Sequence, residues 1–227
     1  MGSDEAVAAM LGLVACVGYV LPFGLVAALA WWVGTRSSRA LKRGMAQLEE
    51  GRVLEAYESF ASCNDKLLLR GQASMWLWRL NSARHELDSA ASILERRDEL
   101  KVAPYLALAA ALRGDRDVED WVMLSGARSS SQPEARLALS VMELRRGHWK
   151  AALEALPTTT GNPRARALLE VISALATTRL DGQARKLDTA ALLGEGSIEE
   201  LKKWWPELAA ALENGTTTVP DQPITNP

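Results

Sequence analysis

The chain has 227 residues and nearly balanced charges, 26 basic against 28 acidic, for a formal net charge of −2. No strong field therefore favours nucleic acid or a highly acidic ligand as partner. Hydrophobic residues make up 48% of the sequence, but alternating Val, Ile, Thr and Tyr, typical of strands, are nearly absent after residue 33. The composition predicts helices rich in Ala and Leu.

The first predicted element is a long apolar stretch, Ala6 to Val33, which contains no charged residue. About 20 apolar residues suffice to cross a bilayer, and Trp31 and Trp32 lie where an interfacial aromatic anchor is expected. The stretch is too long for the apolar core of a cleavable signal peptide, and acidic residues precede it. The sequence therefore predicts a short tail (residues 1–5) and one membrane-spanning helix (residues 6–33).

Basic residues follow this stretch and predict its orientation. Lys and Arg beside a span are typical of the cytoplasmic side, so residues 34–38 are expected to form a basic linker and the remaining chain to lie in the cytoplasm. The basic residues are Arg36, Arg39, Lys42 and Arg43. The prediction is a single-pass protein of the inner (cell) membrane. Small residues at Ala8, Gly12 and Cys16 would permit a homo-oligomer through the span, but small residues are also common in membrane helices.

From residue 37 onward the pattern is helix, short turn, helix. Ser197 and Glu200 match a capping box that opens a last helix, residues 197–213, which Pro206 kinks or restarts. The Thr- and Pro-rich residues 214–227 predict a disordered tail. The other predicted helices are Arg39–Glu50, Val53–Ser62, Leu67–Leu80, Glu86–Arg97, Pro104–Leu112, Val118–Leu124, Glu134–Arg146, Trp149–Leu156, Arg164–Arg179 and Gln183–Leu193.

Two of these helix pairs share one spacing of small and large residues. The first pair has Gly44, Gly51, Ala56 and Phe60, and the later pair has Ser140, Gly147, Ala152 and Leu156. Small residues let paired helices approach, and the large residue fills the gap between successive pairs. Between them, Ala90 and Leu94 are expected to keep the later positions.

This spacing resembles the tetratricopeptide repeat, a unit of 34 residues. The resemblance implies an all-α fold in which an α-solenoid of helix pairs covers residues 39–194 and residues 197–213 cap it. A solenoid built from another type of helix pair would give much the same pattern.

Nothing in the sequence indicates an enzyme. His85 and His148 are the only histidines, and Cys16 and Cys63 are the only cysteines. None has a second His or Cys at ligand spacing, so neither a metal nor another cofactor is expected. Glycine-rich phosphate-binding motifs are absent.

The family resemblance instead implies a concave surface that binds a protein partner. In the first unit the groove positions are Leu41, Met45, Leu48 and Glu49. In the later unit they are Glu134, Leu137, Val141 and Leu144, with Arg145 at the rim. Alternatively, these residues form the core between repeats.

Four tryptophans are further partner-binding candidates, because an exposed Trp is a frequent interface anchor. Trp76 and Trp78 lie two positions apart on one predicted helix, so one is expected to face outward. Trp204 and Trp205 are adjacent. One of them is expected to cover the core and the other to contact a partner or the membrane surface.

The first functional hypothesis is a membrane-anchored adaptor or scaffold that recruits a protein near the bilayer. Its layout resembles that of the membrane-anchored repeat proteins that regulate lipopolysaccharide assembly, but it lacks the CxxC pair of their metal-binding tail. The opposite orientation would resemble ancillary translocon subunits, whose exported repeat domain acts as a chaperone. A third hypothesis is a structural subunit of a larger membrane complex.

Overall fold

The computed structural model describes residues 38–61, 66–93, 96–126, 132–193 and 196–217. Within these ranges the regular elements are helices, and strand-type pairing is limited to one bridge between Lys186 and Thr216. The predicted all-α class is confirmed there. The predicted membrane span and residues 218–227 lie outside the described ranges, and no described helix is long and apolar enough to cross a membrane.

Four helix hairpins follow one another along the chain, and α9 and three shorter helices complete the fold. Short connections between packed helices make the members of each hairpin antiparallel. The hairpins are α1 (residues 38–49) with α2 (Val53–Ala61), α3 (Leu67–Trp76) with α4 (Leu80–Ile93), α5 (Arg96–Arg113) with α6 (Val118–Leu124), and α7 (Pro133–Arg145) with α8 (Trp149–Ala155). The remaining helices are α9 (Pro163–Asp181), α10 (Ala190–Leu193), α11 (Glu199–Trp204) and α12 (Pro206–Asn214).

Close contacts between small and large residues hold the first two hairpins together. A Cβ atom added to Gly44 would lie 2.5 Å from a ring carbon of Phe60, and one added to Gly71 would lie 2.6 Å from Cγ of Leu87. The second hairpin thus repeats the spacing of the first with Gly71, Trp78, Ala83 and Leu87. The expectation that Ala90 holds a later position is wrong, because α4 begins at Leu80 and sets a different register. Leu94 lies outside the described residues.

Gly71→Ala is expected to lower the free energy of unfolding by about 1–3 kcal/mol, because the new methyl group overpacks against Leu87. The measurement is urea unfolding of the full chain in mild detergent, followed by far-UV circular dichroism. Gly161→Ala is the control: nothing lies within 4 Å of its added Cβ, so it is expected to be neutral or to stabilise by up to about 1 kcal/mol. Equal losses in both variants would contradict the close-packing explanation.

The turn between α3 and α4 contains a strained tryptophan. In the first and fourth hairpins the corresponding residues are Gly51 and Gly147, with φ of 80° and 79°, whereas Trp78 adopts a φ of 60°. A left-handed backbone costs an L-residue roughly 1–2 kcal/mol. The indole Nε1 of Trp78 donates a hydrogen bond of 2.9 Å to the carbonyl oxygen of Leu192, and this contact helps to hold the turn.

The predicted single helix Leu67–Leu80 is therefore wrong at its end. Because α3 ends at Trp76 and the chain reverses at Trp78, both rings turn into the core, with 2% and 1% of their surfaces exposed. The expectation that one of these two tryptophans faces outward is also wrong.

Residues 183–193 and 196–217, which we call the C-terminal segment, fold back onto the earlier hairpins. The predicted helix Gln183–Leu193 is wrong over residues 183–189, because this stretch pairs with the end of the segment: Leu187 N donates to Gly215 O at 2.8 Å and Thr217 N to Arg185 O at 2.9 Å. The predicted disorder from Asn214 onward is thus wrong for residues 214–217, because Asn214 ends α12 and residues 215–217 pair with residues 185–187.

The predicted capping box is also rearranged. Ser197 Oγ accepts a hydrogen bond from Glu199 N at 3.4 Å, but the Glu200 carboxylate accepts one of 2.8 Å from the backbone N–H of Asn81. Glu200 thus satisfies a free N–H group at the start of α4, and α11 packs against α4 and α5. Pro206 starts a new helix, α12, so the predicted last helix is two helices.

Candidate functional site

A cleft of about 230 Å³ lies where the ends of α7 and α9 meet the junction of α11 and α12. We call it the Arg–Trp cleft. Its volume is below the roughly 300–1,000 Å³ of a pocket for a drug-sized ligand, so it suits a side chain rather than a large cofactor. The polar and aromatic residues that line it are Arg145, Arg179, Glu207, Trp149, Trp204 and Trp205, with Leu144, Leu175 and Pro206 as apolar lining.

The break between α11 and α12 separates the two adjacent tryptophans. Pro206 is the first residue of α12, and Trp205 adopts a non-helical backbone with a φ of −149° and a ψ of 78°. Trp205 is consequently buried against the core, whereas Trp204 stays half-buried at the cleft. The chain thus presents two neighbouring aromatic rings in different environments.

Stacked cations hold the cleft together. The Arg113 guanidinium lies 4.8 Å from the ring centroid of Trp204, and that of Arg145 lies 5.0 Å from the ring centroid of Trp205. Each such contact contributes about 0.5–1 kcal/mol at exposed sites. Across the cleft, Arg179 stacks on Trp149 at 5.8 Å. These contacts join the C-terminal segment to α5 and α7, and α8 to α9.

Arg145 contributes a positive charge without a carboxylate partner. Its Nη1 and Nη2 donate to the carbonyl oxygens of Leu112 and Trp204 at 3.0 and 2.9 Å. None of the ion pairs in the described part of the chain includes Arg145, although much of the residue is solvent-accessible. Desolvation of the guanidinium lowers the pKa of Arg145, and the charge of Asp115 opposes this shift. An anion bound at this position would be stabilised by the accessible positive charge of Arg145.

Two other side chains of the cleft carry buried N–H donors without a hydrogen-bond partner in the described structure. These donors are Nη1 of Arg179 and Nε1 of Trp204. Nη2 of the same arginine pairs with Glu207, and the Arg179 side chain is only 10% exposed. A buried unpaired donor costs roughly 1–3 kcal/mol, so two beside one cleft are unusual.

The structure brings three of the predicted site residues together: Arg145, Trp204 and Trp205 all line the cleft. On α1, Leu41 is half-buried and Met45 is 45% exposed, away from this site. Leu137 and Val141 on α7 are fully buried, which favours the alternative that they form core between helix pairs. Trp76 and Trp78 are buried and do not line the cleft.

Sequence reasoning missed Arg179 and Glu207 and treated Trp149 as structural. The only local signal was the pair of adjacent tryptophans before a proline, because Arg145 and Trp204 are 59 residues apart. Within the described ranges, no group of three His, Cys, Asp or Glu side chains could hold a metal ion.

Comparison with protein-family models, with curated proteins and with solved structures finds no match to this chain. The site itself therefore carries the functional argument.

Proposed function

We propose that the chain is a membrane-anchored adaptor that binds a partner protein through the Arg–Trp cleft. The observation that carries this proposal is the combination of one accessible cation at Arg145 with unpaired donors on Arg179 and Trp204, all beside one aromatic cleft. Arg and Trp are the side chains most enriched at energetically dominant positions of protein interfaces.

The rest of the chain has the role of scaffold and anchor in this proposal. The repeated small-to-large contacts of Gly44 with Phe60 and Gly71 with Leu87 support a tetratricopeptide-like α-solenoid. The uncharged stretch from residue 6 to residue 33 supports insertion in the inner membrane, and the basic residues after it support a cytoplasmic location of the helical part. The protein acts by binding and catalyses no reaction.

A second candidate function, a structural subunit of a larger membrane complex, is favoured by an apolar surface on α6. Met123 and Leu124 at the end of this helix are 78% and 42% exposed. Exposed apolar side chains of this size are suited to permanent packing against another subunit. This surface lies outside the Arg–Trp cleft, so the two candidates can be separated by substitution.

Arg145→Gln is expected to reduce capture of the partner at least tenfold, because the accessible cation and its stacking on Trp205 are lost together. The measurement is affinity purification of the full chain from crosslinked cells in mild detergent, with quantitative mass spectrometry. The double variant Met123→Ser, Leu124→Ser is the matched control and should retain the partner. Circular dichroism of each variant checks that it folds.

The opposite result is that the α6 variant loses all partners and Arg145→Gln loses none. It would contradict the adaptor function and favour the structural subunit. A reporter fused to the carboxyl terminus tests orientation. Activity of a cytoplasmic reporter supports the proposal, whereas activity of a reporter that works only after export would indicate the chaperone-like translocon subunit.

A further inference from the structure

We propose that the Arg–Trp cleft recognises the carboxylate of an acidic side chain, Asp or Glu, that lies beside an apolar residue in a segment of the partner protein. This inference rests on the proposed adaptor function and names the chemistry of its ligand.

The unpaired groups of the cleft are hydrogen-bond donors, so they favour a ligand group that only accepts hydrogen bonds. The unpaired atoms on Arg179 and Trp204 are both N–H donors. An ionised carboxylate has two oxygens and no donor, and it therefore matches a site with two unpaired N–H donors. A neutral amide offers only one oxygen, which the two N–H donors would have to share. Hydrogen bonds to a charged acceptor are also roughly twice as strong as those between neutral groups.

The charges at the cleft favour an anion as ligand. Arg145 and Arg179 are positive and Glu207 is negative, and Glu207 is paired with Arg179. The positive charge that remains in the lining is that of Arg145, and the Lys203 ammonium lies 4.8 Å from the Trp204 ring centroid.

Size and polarity select what lies beside the carboxylate. A volume of about 230 Å³ admits one or two side chains, and the walls are the rings of Trp149, Trp204 and Trp205 with Leu144 and Leu175. Contact with an apolar neighbour of the acidic residue would bury apolar surface of these walls and so favour binding. A cationic side chain would face both arginines and is disfavoured.

The test uses the full chain, labelled with ¹⁵N at its tryptophan indoles and purified in mild detergent. The probes are two peptides, N-acetyl-Leu-Glu-Leu-amide and its Gln counterpart. The Glu peptide is expected to move the indole N–H resonance of Trp204 downfield, because a new hydrogen bond to a carboxylate forms. The Gln peptide is expected to bind at least tenfold more weakly. Titration to about 10 mM covers affinities too weak for a stable complex.

Trp204→Phe assigns the resonance and is expected to weaken binding of the Glu peptide at least tenfold. This variant breaks no hydrogen bond in the described structure and should therefore fold. Trp121→Phe is the matched control: Nε1 of Trp121 donates to Asp117 at 2.9 Å outside the cleft, and its loss should leave peptide affinity unchanged. Arg145→Gln is expected to weaken binding as much as Trp204→Phe.

Equal shifts with the Glu and Gln peptides, no shift with either, or binding that survives both cleft variants would overturn the carboxylate inference. The adaptor proposal has its own readout in partner capture. If Arg145→Gln loses the captured partner but the Glu peptide does not bind, the adaptor stands and the ligand chemistry is wrong. If the Glu peptide binds but no partner is captured, the carboxylate chemistry of the cleft stands and the adaptor function is wrong.

Discussion

Trp78→Ala is expected to lower the free energy of unfolding by about 3–5 kcal/mol, the range for truncation of a fully buried aromatic residue. The Trp78 ring is 1% exposed, and its Nε1 hydrogen bond to Leu192 fastens the C-terminal segment to the α3–α4 turn. Truncation therefore leaves a cavity and removes a long-range contact. Urea unfolding of the full chain in mild detergent measures the loss.

Trp78→Gly is expected to be about 1 kcal/mol less destabilising than Trp78→Ala, because glycine adopts the left-handed backbone at φ 60° without the steric cost that alanine retains. This order reverses the one expected inside a helix. Trp76 supplies the control, since it is the last residue of α3; there Ala should be more stable than Gly by roughly 0.5–1 kcal/mol. If the Ala variant is more stable than the Gly variant at both positions, the left-handed backbone at Trp78 does not strain the turn.

Glu86→Leu is the second substitution with a large expected effect, a loss of about 3 kcal/mol. The Glu86 carboxylate is buried and accepts hydrogen bonds from Arg70 Nη2 at 2.9 Å and from Ser74 Oγ at 2.7 Å. Ser74 is fully buried. Removing the acceptor leaves its hydroxyl and a half-buried guanidinium without partners, and that loss dominates over the gain of apolar surface.

The loss of stability in Glu86→Leu depends on whether the polar partners Arg70 and Ser74 remain, so the control variants change these residues. Glu86→Gln keeps an oxygen acceptor and should cost less than Glu86→Leu. The triple variant Arg70→Met, Ser74→Ala, Glu86→Leu removes every member of the network and should recover most of the loss, since well-packed apolar replacements are often neutral. If the triple variant is as unstable as Glu86→Leu alone, the network is not the origin of the effect.

The sequence predicted helices and turns well where the signal is local. The left-handed Gly147 and the small residues Gly44 and Ser140 occupy the expected places, because two helices pack closely only over residues of that size. Pro104 shows where the local signal misleads: it suggested a helix start, yet it lies inside α5. Buried contacts on both sides of it, at Val102 and Leu106, outweigh the missing N–H group.

The non-local contacts were beyond sequence reasoning. Residues 183–189 have helical composition, but their backbone pairs with residues 215–217, and no local pattern reports that partner. Glu200 had a plausible cap at Ser197 and instead caps α4, 119 residues earlier. For the same reason Arg145, Trp204 and Trp205 were named as separate candidates, and the cleft that unites them with Arg179 was not foreseen.

The return of the C-terminal segment to the α3–α4 turn has a consequence for biosynthesis. Asn81 is made long before Glu200, and at roughly 5–20 residues per second the 119 residues added after it, up to Glu200, take about 6–24 s to translate. During that interval the surface of α4 and α5 that α11 later covers is exposed. Nascent chains of this protein are therefore expected to need chaperone protection, and a premature stop codon before Glu199 should yield a product that proteases remove.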